Sequence, residues 1–226
     1  MMLLTNDGSH TLMSPQFGAT YHSRFGAVTE SAHVFIGAGF RYVSAGKQRI
    51  RLLETGLGTG LNALMTWVAA EQSDIRVAYT ALELFPPSPG DVEALNYPDL
   101  LEGNPEDLRA RLRDLHQAPW EVNAALSNHF SLMKKKTPIE TFESEQAFDL
   151  VYFDAFAPET QPELWTEEVF RRMFGALVPG GVLVTYCAKG EVKRRMQRAG
   201  FQVERLPGPP GKREMTRGWR SGGEVQ

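Results

Sequence analysis

Apolar residues recur along this chain at two spacings, and the way the two take turns predicts the architecture. Short dense runs of Val, Ile, Leu, Phe and Tyr at residues 50–54, 77–82, 130–135, 148–153 and 182–187 predict buried strands. Helical spacing predicts helices over 61–70, 162–177 and 191–199. Strands that alternate with helices belong to an α/β fold, here a doubly wound, mostly parallel sheet. Ahead of it, residues 7–26 are rich in Gly, Ser, His and Thr and predict a hairpin or loop that serves as a lid or docking segment. A short helix over 29–35, capped by Thr29, is expected next. Pro86, Pro87 and Pro89 forbid an immediate helix after the second strand. Residues 91–115 then predict two helical pieces broken near Tyr97-Pro98 and Gly103-Asn104-Pro105, an inserted cap. Near the far end, 201–206 and 213–216 flank a Pro- and Gly-rich turn and predict an antiparallel pair closing the sheet. The expected organisation is one domain over 1–226: an N-terminal hairpin and helix extension at 1–45, and a core at 50–220 carrying a helical insertion at 88–120.

Composition narrows the class. With 226 residues and 42% hydrophobic content, the chain can bury a substantial core. A single cysteine, Cys187, rules out an internal disulfide and a cysteine-rich zinc site; a reducing, cytoplasmic setting and no metal centre are expected. No apolar run approaches bilayer length, so no membrane role is expected. The net charge of −3 conceals an asymmetry: from Lys189 onward ten Lys and Arg face four Glu, a net +6 that leaves −9 for the residues before it.

The informative chemistry lies at the ends of the expected strands. Gly56-Leu57-Gly58-Thr59-Gly60 joins the first core strand to its helix, where free N–H groups and close backbone approach can hold a ligand. Its G-x-G-x-G spacing departs from the G-x-G-x-x-G of dinucleotide sites. Glu54 beside it would repel a pyrophosphate but can face the ammonium of S-adenosylmethionine. Glu83, ending the next strand, can accept hydrogen bonds from ribose hydroxyls. Asp154 ends the strongest strand, in Asp154-Ala155-Phe156-Ala157-Pro158, and suits the handling of an amine that receives a methyl group. Tyr21, His22, Phe156 and Trp165 are the aromatic candidates for packing on a flat base; Phe156 and Trp165 equally suit a core, and His22 a structural hydrogen bond.

Taken together, these residues resemble the tRNA (5-methylaminomethyl-2-thiouridine) methyltransferase family, the methyltransferase half of the bifunctional wobble-uridine enzymes. The resemblance runs nearly end to end. It is carried by Asp7-Gly8-Ser9-His10-Thr11-Leu12, Tyr21-His22-Ser23, Glu54 through Asn62, Asp149 through Pro158, Gln161 through Trp165, Thr185 through Gly190, and Gly211-Lys212-Arg213-Glu214-Met215. It implies a Rossmann-like class I methyltransferase that uses S-adenosylmethionine to methylate the primary amine of 5-aminomethyl-(2-thio)uridine at the tRNA wobble position. It also implies Asp154 as the residue at the target amine, with Glu54, Gly56, Gly58, Gly60, Asn62 and Glu83 at the cofactor. Lys193, Arg194, Lys212, Arg213 and Arg217 are expected at anticodon-stem phosphates. No second, oxidase domain is expected in a chain of this length. The chain departs from the family where relatives often place an acid near the adenine: here Pro138 follows Lys135-Lys136-Thr137. Three rivals stay open at this point: a nicotinamide-dependent oxidoreductase, a methyltransferase for a small-molecule amine, and a non-catalytic RNA-binding module.

Overall fold

The computed structural model describes residues 1–222. Strands β1 (Met2–Leu4) and β2 (His10–Leu12) form a separate antiparallel hairpin. Helix α1 (Ala27–Ser31), a π-helical stretch (Ala32–Arg41) and α2 (Tyr42–Ser44) follow without a break. The core then runs β3 (Arg49–Thr55), α3 (Leu61–Gln72) and β4 (Arg76–Leu82). The insertion supplies α4 (Pro89–Glu93), α5 (Tyr97–Leu100) and α6 (Pro105–Gln117). Strands β5 (Asn123–Ala125), β6 (Phe130–Lys135) and β7 (Phe148–Phe153) lead to a 3-10 turn at Pro162–Trp165, α7 (Glu167–Ala176), β8 (Leu177–Thr185) and α8 (Gly190–Arg198). Strands β9 (Gln202–Pro207) and β10 (Glu214–Trp219) complete the sheet.

Its order is β5-β6-β4-β3-β7-β8-β10-β9. The five central strands are parallel, with antiparallel β5 at one edge and the β10-β9 pair at the other. Helices cover both faces, so every residue of β7 is buried. Phe35, Phe40, Trp67, Tyr79 and Tyr152 fill one layer; Phe153, Trp165, Phe170, Leu183 and Met196 fill the other. Strand order reverses between β3 and β7, the place where open α/β sheets leave a crevice beyond the strand ends.

Several elements depart from expectation, each for a local reason. The helix expected over 29–35 begins at Ala27 and continues past Gly37 and Gly39. Gly39 permits this, because a Cβ there would lie 3.0 Å from both Tyr152 and Val184 of the sheet. Thr29 is not the cap; its N–H donates to Asp7 Oδ2 at 2.8 Å, so an acid from the preceding hairpin satisfies the helix end. Pro89 opens a helix instead of barring one, since proline fits the first turn and Ser88 caps it. The helix expected over 162–177 is split by Thr166, whose hydroxyl accepts from the Val169 N–H to start α7. The register of β8 with β7 shifts between Phe148 and Leu150, where Pro179-Gly180-Gly181 interrupts the pairing within β8. The three-residue β5 was not expected.

Asp7 also receives hydrogen bonds from Thr5 and Ser9. Burial alone would raise its carboxyl, but the bonds from Ser9, the Thr29 N–H and Thr5 outweigh it and hold the group well below the usual carboxylate range. A lowered folded-state value adds stability above the unfolded carboxylate value of about 3.9, and that stability is lost as pH falls below it. Asp7→Ala is therefore expected to cost about 2 kcal/mol near neutrality. Denaturant unfolding at pH 7 and pH 3 checks this: an equal deficit at both would contradict it.

Candidate active site

The glycine turn after β3 is held open by backbone geometry. Gly56, Gly58 and Gly60 all have positive φ, at 93°, 51° and 79°, where a side chain is strained. Around this turn lies a hollow of about 350 Å³, within the range of small-molecule sites. Its floor is made by the turn, Asn62 and the strand ends at Thr55, Glu83 and Asp154. Its roof comes from the N-terminal extension, through Gln16, Phe17, Tyr21 and His22.

The acids end adjacent strands and meet at a single amide. Glu54 in β3 is 1% exposed. Asn62, one residue into α3, donates from Nδ2 to Glu54 Oε1 at 2.9 Å and to Asp154 Oδ2 at 2.8 Å. Two acceptors are left buried without a protein partner, Glu54 Oε2 and Asn62 Oδ1. Such orphans are costly unless a donor arrives, and a ligand ammonium is a donor of the right charge. The residues present thus fit the methionine end of S-adenosylmethionine. Glu83 accepts from the Gly58 N–H at 2.8 Å and the Phe85 N–H at 2.6 Å. A carboxylate has about four acceptor positions, so ribose hydroxyls can still be met there.

Burial pushes the Asp154 carboxyl up to about 7, helped by the charge of Glu30 and opposed by Asn62 and Lys212. Glu54 is raised well above the carboxylate range, mainly by burial. Asp154 can thus exchange a proton at neutral pH. Over the hollow's mouth, Phe156 packs against Phe17 at 4.8 Å and Tyr21 at 5.2 Å between ring centroids, and Phe17 meets Phe85 edge-on at 5.6 Å. Tyr21 lies so close over the turn that a Cβ on Gly58 would come within 2.9 Å of its ring.

Other residues sit differently from expectation. Trp165 is fully buried and donates from Nε1 to the Phe156 carbonyl at 2.8 Å. It holds the loop after β7 and presents no face to a base. His22 reaches the hollow, but burial lowers it to about 4, so its ring is neutral and bonds weakly toward Thr11 and Tyr97. Lys212 is ion-paired with Glu30 and lies over the Tyr186 ring at 3.9 Å. Lys193 is paired with Glu214, and Arg217 with Glu204. Of the expected phosphate contacts, Arg194 and Arg213 are exposed. Beyond Pro138, Thr137, Ile139 and Glu140 line the hollow. Glu140, two residues past Pro138, places an acid on the hollow's wall, which only the loop's path reveals. Phe17 and Gln16 were also missed, because a glycine-rich segment without periodicity gives no sign of which side chains face inward.

Among the described residues, no helix is long and apolar enough to cross a membrane and no cluster of His, Cys, Asp and Glu is arranged to hold a metal ion.

The turn, the acidic strand ends and the doubly wound sheet define a class I methyltransferase, and the comparisons agree. A family described as S-adenosyl-L-methionine-dependent methyltransferase matches residues 109–221, and the chain belongs to it. It is 32% identical over 238 residues to the tRNA 5-methylaminomethyl-2-thiouridine biosynthesis bifunctional protein MnmC of Cupriavidus metallidurans, a match covering 95% of this chain and 33% of that protein. The protein of the same name from Polaromonas naphthalenivorans is 30% identical over 214 residues, covering 91% of this chain and 33% of the relative. The chain therefore spans about one third of the length of these curated relatives. Among solved structures, MNMC2 from Aquifex aeolicus superposes with a TM-score of 0.77 at 25% identity, over 98% of this chain and 70% of that one. Family membership sets aside the nicotinamide reading; the cofactor is S-adenosylmethionine.

Proposed function

We propose that this chain methylates the primary amine of 5-aminomethyl-(2-thio)uridine at the wobble position of tRNA, in the cytoplasm, giving 5-methylaminomethyl-(2-thio)uridine. The observation that carries this reading is Asp154, a carboxylate beyond the end of β7 that lines the hollow and is held by Asn62, with burial pushing it up to about 7. The names of the MnmC relatives support the choice of substrate.

When bound, S-adenosylmethionine supplies a methyl on a sulfonium; the amine lone pair forms the new N–C bond as the electrons of the C–S bond pass to sulfur. An alkylamine is mostly protonated at neutral pH. Ionised Asp154 accepts its proton, passes it to solvent and orients the nitrogen lone pair; the secondary ammonium formed by the transfer then sheds its own proton to the carboxylate so freed. Tyr21, Phe17 and Phe156 hold the flat base and keep water out. Glu54 and Asn62 face the ammonium of the donor, the backbone at Gly56, Gly58 and Gly60 its carboxylate and ribose, Glu83 the ribose hydroxyls, and the Thr137–Glu140 loop the adenine. Arg194 and Arg213 are free to meet phosphates of the anticodon region, and Lys212 acts chiefly through Glu30.

Incubation with labelled methyl donor and tRNA from cells lacking the terminal methyl, followed by nucleoside analysis, tests the reading. Label is expected in the 5-methylaminomethyl nucleoside. Turnover on free amines with no label in tRNA would favour a small-molecule substrate instead.

A further inference from the structure

Asn62 is placed between two functions. It is 4% exposed, and its amide nitrogen is shared between carboxylates that belong to different strands and to different proposed tasks: Glu54 at the donor's ammonium and Asp154 at the amine. The opposite amide orientation would turn a carbonyl oxygen toward both acids and is disfavoured once either is ionised. That leaves Asn62 Oδ1 as a buried acceptor without a protein partner.

We infer that Asn62 is a positioning residue that couples filling of the ammonium site to ionisation of Asp154, so that the base is readied when the methyl donor is in place. The inference rests on the reading of Asp154 as the amine-handling group. A cation donating to Asn62 Oδ1 polarises the amide and strengthens the N–H bond that the same amide gives to Asp154. Its positive charge also favours the carboxylate directly. Asp154 then releases its proton to solvent.

The other groups facing Asp154 do not supply this link. Glu30 from α1 and Lys212 from the loop before β10 are paired with each other. Burial raises Tyr186, after β8, and Tyr79, in β4, well above the ordinary phenol range, so both stay neutral. Glu54 from β3 is itself held by Asn62.

The test counts protons. S-adenosylhomocysteine, which carries the same ammonium, is bound to the full chain at pH 7 in buffers of different ionisation enthalpy. Wild type is expected to release protons; Asp154→Asn should release fewer by about half a proton. Asn62→Ala should lose the part of that share carried through the amide and so release fewer protons than wild type. Release undiminished in Asp154→Asn, or the Asp154 share kept whole in Asn62→Ala, overturns the inference. A second readout needs no ligand: in the free protein, carbon NMR of labelled aspartate should show the Asp154 midpoint rising in both Asn62→Ala and the gentler Asn62→Ser. An unchanged midpoint overturns the inference as well. In wild type, saturation with S-adenosylhomocysteine should lower the midpoint by about one unit or more. Methylation of tRNA enters none of these measurements. Proton coupling without tRNA methylation would sink the proposed substrate alone, and tRNA methylation without coupling would sink this inference alone.

Discussion

Replacing Asp154 with alanine is expected to lower kcat by about 10²–10⁴-fold, the usual contribution of a positioned acid or base, while affinity for S-adenosylmethionine changes by only a few fold. The division follows from geometry. Asn62 contacts Asp154 at Oδ2, whereas the ammonium site we propose lies at Glu54 and the other side of the Asn62 amide, where two acceptors are unpartnered. The sign of the pH dependence follows too. Asp154 is raised to about 7 in the free protein and, on the proposed mechanism, works ionised, so kcat/KM for the methyl donor, which reports the free protein, should fall as pH drops below that value and level off above it, until other groups titrate. Steady-state kinetics with undermodified tRNA, beside equilibrium binding of the donor, gives both quantities. Equal losses in rate and affinity would refute the assignment.

The second large effect is on stability. Trp165→Ala is expected to cost about 3–5 kcal/mol, as truncation of a fully buried aromatic does, and to lower Tm by roughly 10 °C. The ring lies edge-on to Phe153 at 5.1 Å and to Phe170 at 6.4 Å. Its Nε1–H bond to the Phe156 carbonyl is lost as well, which loosens the loop that aims Asp154. Calorimetric unfolding and kcat should fall together. A loss under about 1 kcal/mol, typical of surface positions, would mean that the indole is not the anchor of this loop.

How much of this was legible in the sequence depended on the range of the interaction involved. Strand β7 falls where its apolar run does, because a strand buried on both faces must be apolar at nearly every position; β6 is buried only at alternate positions, Phe130, Leu132 and Lys134. The glycine turn and the acids Glu54, Glu83 and Asp154 were readable for a similar reason: strand ends are local features. The helix through Gly37 and Gly39 was not, since glycine normally discourages a helix and here serves an approach to Tyr152 and Val184 across the core. Strand β5, three residues paired only with β6, has no periodicity to read. The basic tail shows the limit most clearly. Composition counts its cations, but the partners of Lys212 and Lys193 lie at Glu30 and Glu214, and pairing at such distances is a property of the fold. Asn62 was recognisable as part of the turn motif, while its bridging of two acids depends on β3 and β7 being neighbours.

The roof over the hollow is stitched to the insertion and not only to the sheet. The His10 N–H donates to Asn96 Oδ1 at 2.7 Å, Asn96 Nδ2 donates to the Gly8 carbonyl at 2.8 Å, and the His10 ring meets the Ala94 carbonyl at 3.0 Å. Two stretches of chain remote in sequence are therefore tied together beside the hollow, and drift in either is constrained by the other.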